Sequence, residues 1–260
     1  MLQVKTGIQL ASLRQPFKKA LHTAARLGPQ AVEIDARNEI LPSQLSQTGL
    51  RQIQKMLEDL NLRVSAVTFP TRRGYYALEQ LEDRIEATKQ AMQMAYRLGA
   101  PVVVNQIGNV PENPEDPAWD VLLESLAELS RHGQHVGARF AARTGTESGE
   151  DLRRLLDALP YSSIAVDFDP GRLIVNGFSA TEAVRALAKD TLHVHATDAV
   201  RDLALGRGIR VPLGRGAADY PALLGILEEQ QYRGFFTIER EAAEDPITEI
   251  STAVDYLKSL

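Results

Sequence analysis

Short apolar runs recur eight times along this 260-residue chain, and amphipathic helical stretches fill the gaps between them. The expected strands are Thr6–Leu10, Ala31–Asp35, Arg63–Phe69, Pro101–Gln106, Ala138–Arg143, Ser163–Phe168, Leu192–His195 and Gly234–Glu239. They are rich in Val, Ile and Phe and bounded by Gly, Pro or Asp, as strands buried on both faces of a parallel sheet are. Helices are expected over 15–27, 44–60, 77–98, 117–133, 149–158, 179–188, 218–230 and 246–259. In the third of these, Leu78, Leu81, Ile85, Thr88, Met92 and Ala95 share one helical face. Eight alternations in a chain of this length predict a single closed (β/α)8 TIM barrel, with residues 1–260 as one domain. A doubly wound sheet is the alternative, but no GxGxxG follows the first strand.

Composition narrows the chemistry. With no cysteine, the chain has no disulfides, thiolate nucleophile or Cys-type zinc site. A net charge of −5 and no long Lys/Arg block argue against a nucleic-acid partner. The opening MLQVKTGIQL lacks the pattern of a secretory signal, and no apolar stretch is long enough to span a membrane. A cytoplasmic protein acting on a small molecule is the expectation; the oligomeric state is left open.

The strand ends carry the chemistry-bearing residues, and in a barrel of this kind the active site lies at those ends. Alternation puts Asp169 on one side with Asp167 and Ala165, His195 with His193, and Glu239 with Thr237, leaving Leu192 and Val194 for the outer apolar layer. Asp, His and Glu on neighbouring strands suit Mn, Mg, Co or Zn. A strand-end Asp also caps helices, and Asp169-Pro170-Gly171 is good turn chemistry by itself. The fifth strand ends instead on Arg143, which has no lone pair for a metal.

From GIQL and AVEIDA through VDFDPGRLI, HVHATDA and VPLGRGAADYPALL to TIERE, the chain resembles the xylose isomerase-like barrel superfamily of sugar phosphate isomerases and epimerases. The resemblance implies one divalent metal held by Glu, Asp, His and Glu from strands five to eight. Asp169, His195 and Glu239 match three of these, and Arg143-Thr144-Gly145 stands where the family often reads Glu-Thr-Gly. It further implies isomerisation or epimerisation of a sugar or sugar phosphate through an enediolate. Arg172 stands where many relatives carry His or Asn.

Three readings follow. Arg143 swings aside and Glu147 or a water completes the metal shell. Alternatively, its guanidinium takes the metal position against Asp169 and Glu239, leaving Glu239 as the single acid/base. In the third, the barrel is a degenerate one that only binds carbohydrates or small anions. Substrate contacts are expected from Gln9, Asp35, Asn105 and Gln106 at other strand ends, and from Arg72, Arg172 and Arg215. Arg72 lies in the loop PTRRGYY, whose bland reading is a solvated loop; Arg215 lies in the irregular segment Asp198–Ala218, where a small hairpin is expected.

Overall fold

The computed structural model describes residues 4–160, 164–202, 206–240 and 242–260. Eight parallel strands close into a barrel in the order β1 (Lys5–Gln9), β10 (Phe235–Ile238), β7 (Thr191–Ala196), β6 (Ala165–Phe168), β5 (Arg139–Arg143), β4 (Val102–Asn105), β3 (Arg63–Thr68) and β2 (Ala31–Asp35). The remaining two, β8 (Asp198–Val200) and β9 (Ile209–Val211), pair antiparallel as the expected hairpin. The expected start of the sixth strand, Ser163, lies outside the described residues.

Helices α1 (Phe17–Leu27), α2 (Gln47–Asp59), α3 (Leu81–Arg97), α4 (Pro117–Val136), α5 (Gly149–Ala158), α7 (Ala180–Leu187), α8 (Tyr220–Glu229) and α9 (Pro246–Ser259) occupy the expected intervals. Local chemistry sets their ends. Asp116 caps α4 by accepting the Ala118 N–H at 2.9 Å, Pro117 occupies the first turn, and Gly137 ends the helix at φ +94°. Two details differ from expectation. The third helix starts at Leu81, because Gln80 adopts φ +53°; Leu78 precedes it and is 72% exposed. A short helix, α6 (Pro170–Val175), follows β6 directly, capped by Asp169.

Apolar packing divides into two clusters. The larger fills the space between strands and helices, with Ile8, Val103, Phe140, Val166, Val194 and Ile238 facing outward. The smaller lies inside the barrel and consists of Ala66, Val102, Val104, Ala141 and Ala165. Leu192 was expected in the outer layer but packs on this inner cluster. The β6–β7 register slips between Val166 and Asp167, which skips Leu192 and turns it inward.

Small inward residues on β3, β5 and β6 leave room in the lumen for a polar column built from β2, β3, β6, β7 and β10. Its base is tight: a Cβ at Gly7 would meet the Thr237 hydroxyl at 2.8 Å and that of Ser65 at 3.2 Å. Among the described residues no helix is long and apolar enough to cross a membrane. Gly7→Ala is expected to destabilise the fold by about 1–3 kcal/mol in urea unfolding, since Thr237 is pinned and the barrel cannot widen locally.

Candidate functional site

The polar column is built around Asp167, which is fully buried. Its carboxylate faces His193 Nδ1 at 2.8 Å and His195 Nδ1 at 2.7 Å. His193 Nε2 meets the Thr237 hydroxyl at 2.7 Å, and Thr237 donates to Ser65 at 2.9 Å. On its other edge, His195 Nε2 lies 2.9 Å from Glu33 Oε2 and 3.5 Å from Glu239 Oε2. Burial opposes charge on His195, as does Arg143, but Asp167 and Glu33 outweigh both and push the imidazole up to about 10. Burial likewise works against the Asp167 anion, yet His195 and His193 hold it well below the usual carboxylate range.

Above this column, at the strand ends, two guanidinium groups clamp two carboxylates. Arg143 donates to Asp169 Oδ2 from Nη2 at 2.6 Å and from Nε at 3.0 Å, and its Nη2 also donates to Glu239 Oε2. Arg210, from β9, donates to Glu239 Oε1 at 2.6 Å and to Asp169 Oδ2 at 3.1 Å. Burial raises the proton affinity of Asp169, but Arg210 and Arg143 overcome it and keep the carboxylate ionised. Glu239 is lowered in the same way, by Arg143, His195 and Arg210 against burial. Asp169 is saturated further: Oδ1 accepts the Arg172 N–H at 2.9 Å and the Thr197 hydroxyl.

The hairpin that delivers Arg210 is tied down at its root. Asp198 accepts four backbone N–H groups, from Ala199, Gly214, Gly216 and Ala218, at 2.7–3.0 Å. Four donors converging on one carboxylate gather both ends of the excursion. Of its arginines, Arg210 reaches the site, whereas Arg215 is exposed in a turn where its N–H bonds Pro212 O. Nothing in the IRV run around Arg210 marks it apart from the Gly-rich arginines nearby. Glu33, by contrast, was findable: alternation puts it on the same side of β2 as Ala31 and Asp35.

The other expected contacts fall into separate places. Gln9 donates to Glu33 Oε1 at 3.1 Å and Glu239 Oε2 at 3.4 Å, so it joins the site. Asp35 folds back on its own loop, accepting N–H groups of Arg37 and Asn38. Asn105 braces the third loop, donating to Tyr75 Oη at 2.8 Å and Thr71 Oγ1 at 3.1 Å. Gln106 and Arg72 line a cleft of about 460 Å³ with Thr71, Tyr76, Asn109 and Thr146.

Whether these residues suit a metal is a question of charge. Asp169 and Glu239 already share two fixed cations, and a divalent ion would have to enter beside both guanidinium groups. That tip layer does not fit a metal. Deeper, Glu33, His193 and His195 have donor atoms within 4.8 Å of one another and are the group that could hold a cation among the described residues. Both His193 nitrogens are engaged by Asp167 and Thr237, and His195 retains a proton, so a metal there would have to displace each of these.

Glu147, four residues past Arg143, is buried beside Thr146, which donates to its Oε2, while Oε1 has no hydrogen-bond partner. Burial pushes its carboxyl up from 4.5 to about 7, despite the Thr146 hydrogen bond and Arg172. The folded chain therefore binds more protons than the unfolded chain between these values. This stabilisation is complete below pH 4.5 and lost as pH rises through about 7. Glu147→Gln is expected to match the wild-type melting temperature near pH 5 and exceed it near pH 8, by the equivalent of about 2–3 kcal/mol.

Comparison with known proteins places this chain in a family. The chain is 23% identical over 226 residues to inosose dehydratase of Geobacillus thermodenitrificans, covering 75% of each protein. Its fold superposes on a xylose isomerase domain protein from Planctomyces limnophilus with a TM-score of 0.86 at 22% identity, over 99% of this chain and 96% of that one. The IOLI protein, solved with a zinc atom bound, matches with a TM-score of 0.80 at 19% identity over 98% of both chains. The family model described as xylose isomerase-like TIM barrel matches residues 21–260, and the chain belongs to that family.

Proposed function

We propose that this barrel transfers a proton alpha to the carbonyl of a carbohydrate, as a single-domain cytoplasmic isomerase or epimerase. Arg143 and Arg210 stand in for the metal ion. The observation that carries the reading is the bridge from Arg143 to both Asp169 and Glu239. Membership in a sugar isomerase/epimerase-like family, with an inosose dehydratase among its relatives, supports the reaction class.

The roles follow from the charges. Carbonyl and hydroxyl oxygens of the substrate take N–H donors from the two guanidinium groups, which then meet the negative charge of the enediolate. Arg210, whose side chain is 27% exposed on the hairpin, is the donor that opens to admit them. Glu239 starts as a poor base because both arginines lower its proton affinity. Once substrate oxygens take those donors, its affinity for a proton recovers, and it removes the proton from the alpha carbon. His195, carrying its own proton 3.5 Å from Glu239, keeps the carboxylate facing the site. Gln9 braces it from the other edge.

Two experiments test this. In D2O, a panel of ketohexoses and their acids should show wild-type-catalysed loss of the NMR signal from an alpha proton, with a drop of about a hundredfold or more in Glu239→Gln. Ligand-induced stabilisation with no exchange would mean the barrel only binds. Metal analysis of the purified protein should find less than one Mn, Mg, Co or Zn per chain, and Arg143→Glu should acquire one. A stoichiometric metal in the wild type would sink the guanidinium replacement.

A further inference from the structure

Two consecutive arginines, Arg72 and Arg73, stand in the loop after β3, and the protein clamps that loop at both ends. Asn105, at the end of β4, accepts the Thr71 N–H at 3.3 Å and donates to Thr71 Oγ1 at 3.1 Å and to Tyr75 Oη at 2.8 Å. Tyr75 is fully buried; its N–H donates to Ile107 O at 2.8 Å, and its carbonyl accepts from the Ser125 hydroxyl at 3.0 Å. The turn is also pressed onto the fourth loop. A Cβ at Gly74 would meet Gly108 Cα at 2.6 Å, and one at Gly108 would meet the Tyr76 ring at 2.5 Å. The two arginines thus lie between fixed points, an ordering that costs entropy and that a merely solvated loop does not need.

These arginines wall a cleft of about 460 Å³ between the third, fourth and fifth loops. Tyr76, Gln106, Asn109 and Thr146 share the lining, and no carboxylate does. Across the same wall, a second cleft adds Arg37 and Arg84 against Glu79 and Asp83. Four guanidinium groups against two carboxylates leave an excess of two positive charges. Glu79 is paired with Arg73. Arg37 and Arg84 give N–H groups to the carbonyls of Pro70, Ala77 and Glu79, and Arg72 has no hydrogen bond or ion pair among the described residues. Asp35 and Glu39 accept backbone N–H groups around the loop that carries Arg37 and line neither cleft.

The strand tips are balanced by comparison. There the buried carboxylates Glu33, Asp167, Asp169 and Glu239 match Arg143, Arg210, Arg172 and His195, so the barrel itself calls for no further anion. Positive charge is left over at the loop cleft, which adjoins the reaction site. Thr146 in its wall lies three residues past Arg143, so their Cα atoms are no more than about 11 Å apart. Gln106 follows the tip of β4, the strand beside β5. A group held in the cleft is therefore several bonds away from one that meets Arg143 and Glu239. An excess of two charges matches a phosphate monoester, which carries about −1.5 to −2 at neutral pH, whereas a carboxylate would match half of it.

We propose that the cleft between the third, fourth and fifth loops is a phosphate subsite with Arg72 as its main donor, and that the ligand is a sugar phosphate bearing its phosphate at the end away from the reacting carbonyl. The orientation rests on the proposed proton-transfer site, but the test reads binding alone. Calorimetric titration of the full chain would compare D-fructose 6-phosphate with D-fructose, D-ribulose 5-phosphate with D-ribulose, and inorganic phosphate by itself. At least one sugar phosphate should bind about tenfold or more tightly than both its neutral partner and inorganic phosphate. Arg72→Gln should erase that preference and leave the neutral ketose unchanged. Arg131→Gln, which removes the same charge at an exposed position on α4, should retain it. The wild-type comparison stands even if a variant fails to fold.

Equal binding within both pairs, or binding of neither sugar phosphate, overturns the inference. So does a preference that survives Arg72→Gln, which would put the phosphate elsewhere. Inorganic phosphate binding as tightly as the sugar phosphates also overturns it, leaving an anion patch only. Phosphate preference without alpha-proton exchange would instead reject the catalytic reading and leave this one standing.

Discussion

The structure of this site depends on fixed positive charge inside a barrel lumen. Four carboxylates, Glu33, Asp167, Asp169 and Glu239, are gathered at or near full burial, an arrangement that would repel itself apart without cations. Here protein side chains supply them: Arg143 and Arg210 at the strand ends and a protonated His195 below. A guanidinium cannot lose its proton under ordinary conditions and cannot dissociate as an ion can. The charge on these carboxylates is therefore met by groups that the chain itself carries.

In the reading proposed above, guanidinium groups in place of a metal change what the site can recognise. A metal offers charge with open coordination positions, whereas a guanidinium offers charge with directed donors in one plane. The first suits vicinal oxygens of many shapes; the second favours planar oxyanions.

The fold was legible because strand and helix periods alternate without interruption, and every expected barrel strand has its counterpart. Boundaries suffered where backbone conformation overrode pattern: Leu78 fits a helical face, but Gln80 turns into the left-handed region before the helix begins. Leu192 was misplaced because alternation assumes an unbroken register, and a bulge broke it. Within the site, parity brought Asp167, His193 and His195 together correctly, since all lie past the bulge, where the β6–β7 register is unbroken. Arg210 escaped because it arrives on a hairpin, and no local period says where a loop returns. Asn105 and Asp35 were strand-end polar residues, as the site requires, yet their side chains are spent on bracing neighbouring loops. Strand position tells which residues reach the mouth, not what they find there.

The Asp198 knot has a consequence for how this protein can change. By collecting N–H groups from both ends of the excursion onto one carboxylate, it separates the anchoring of β9 from the chain between Val200 and Ile209. Residues could be added or lost in that span while Arg210 keeps its place over Glu239 and Asp169. The charge it delivers stays where the barrel needs it.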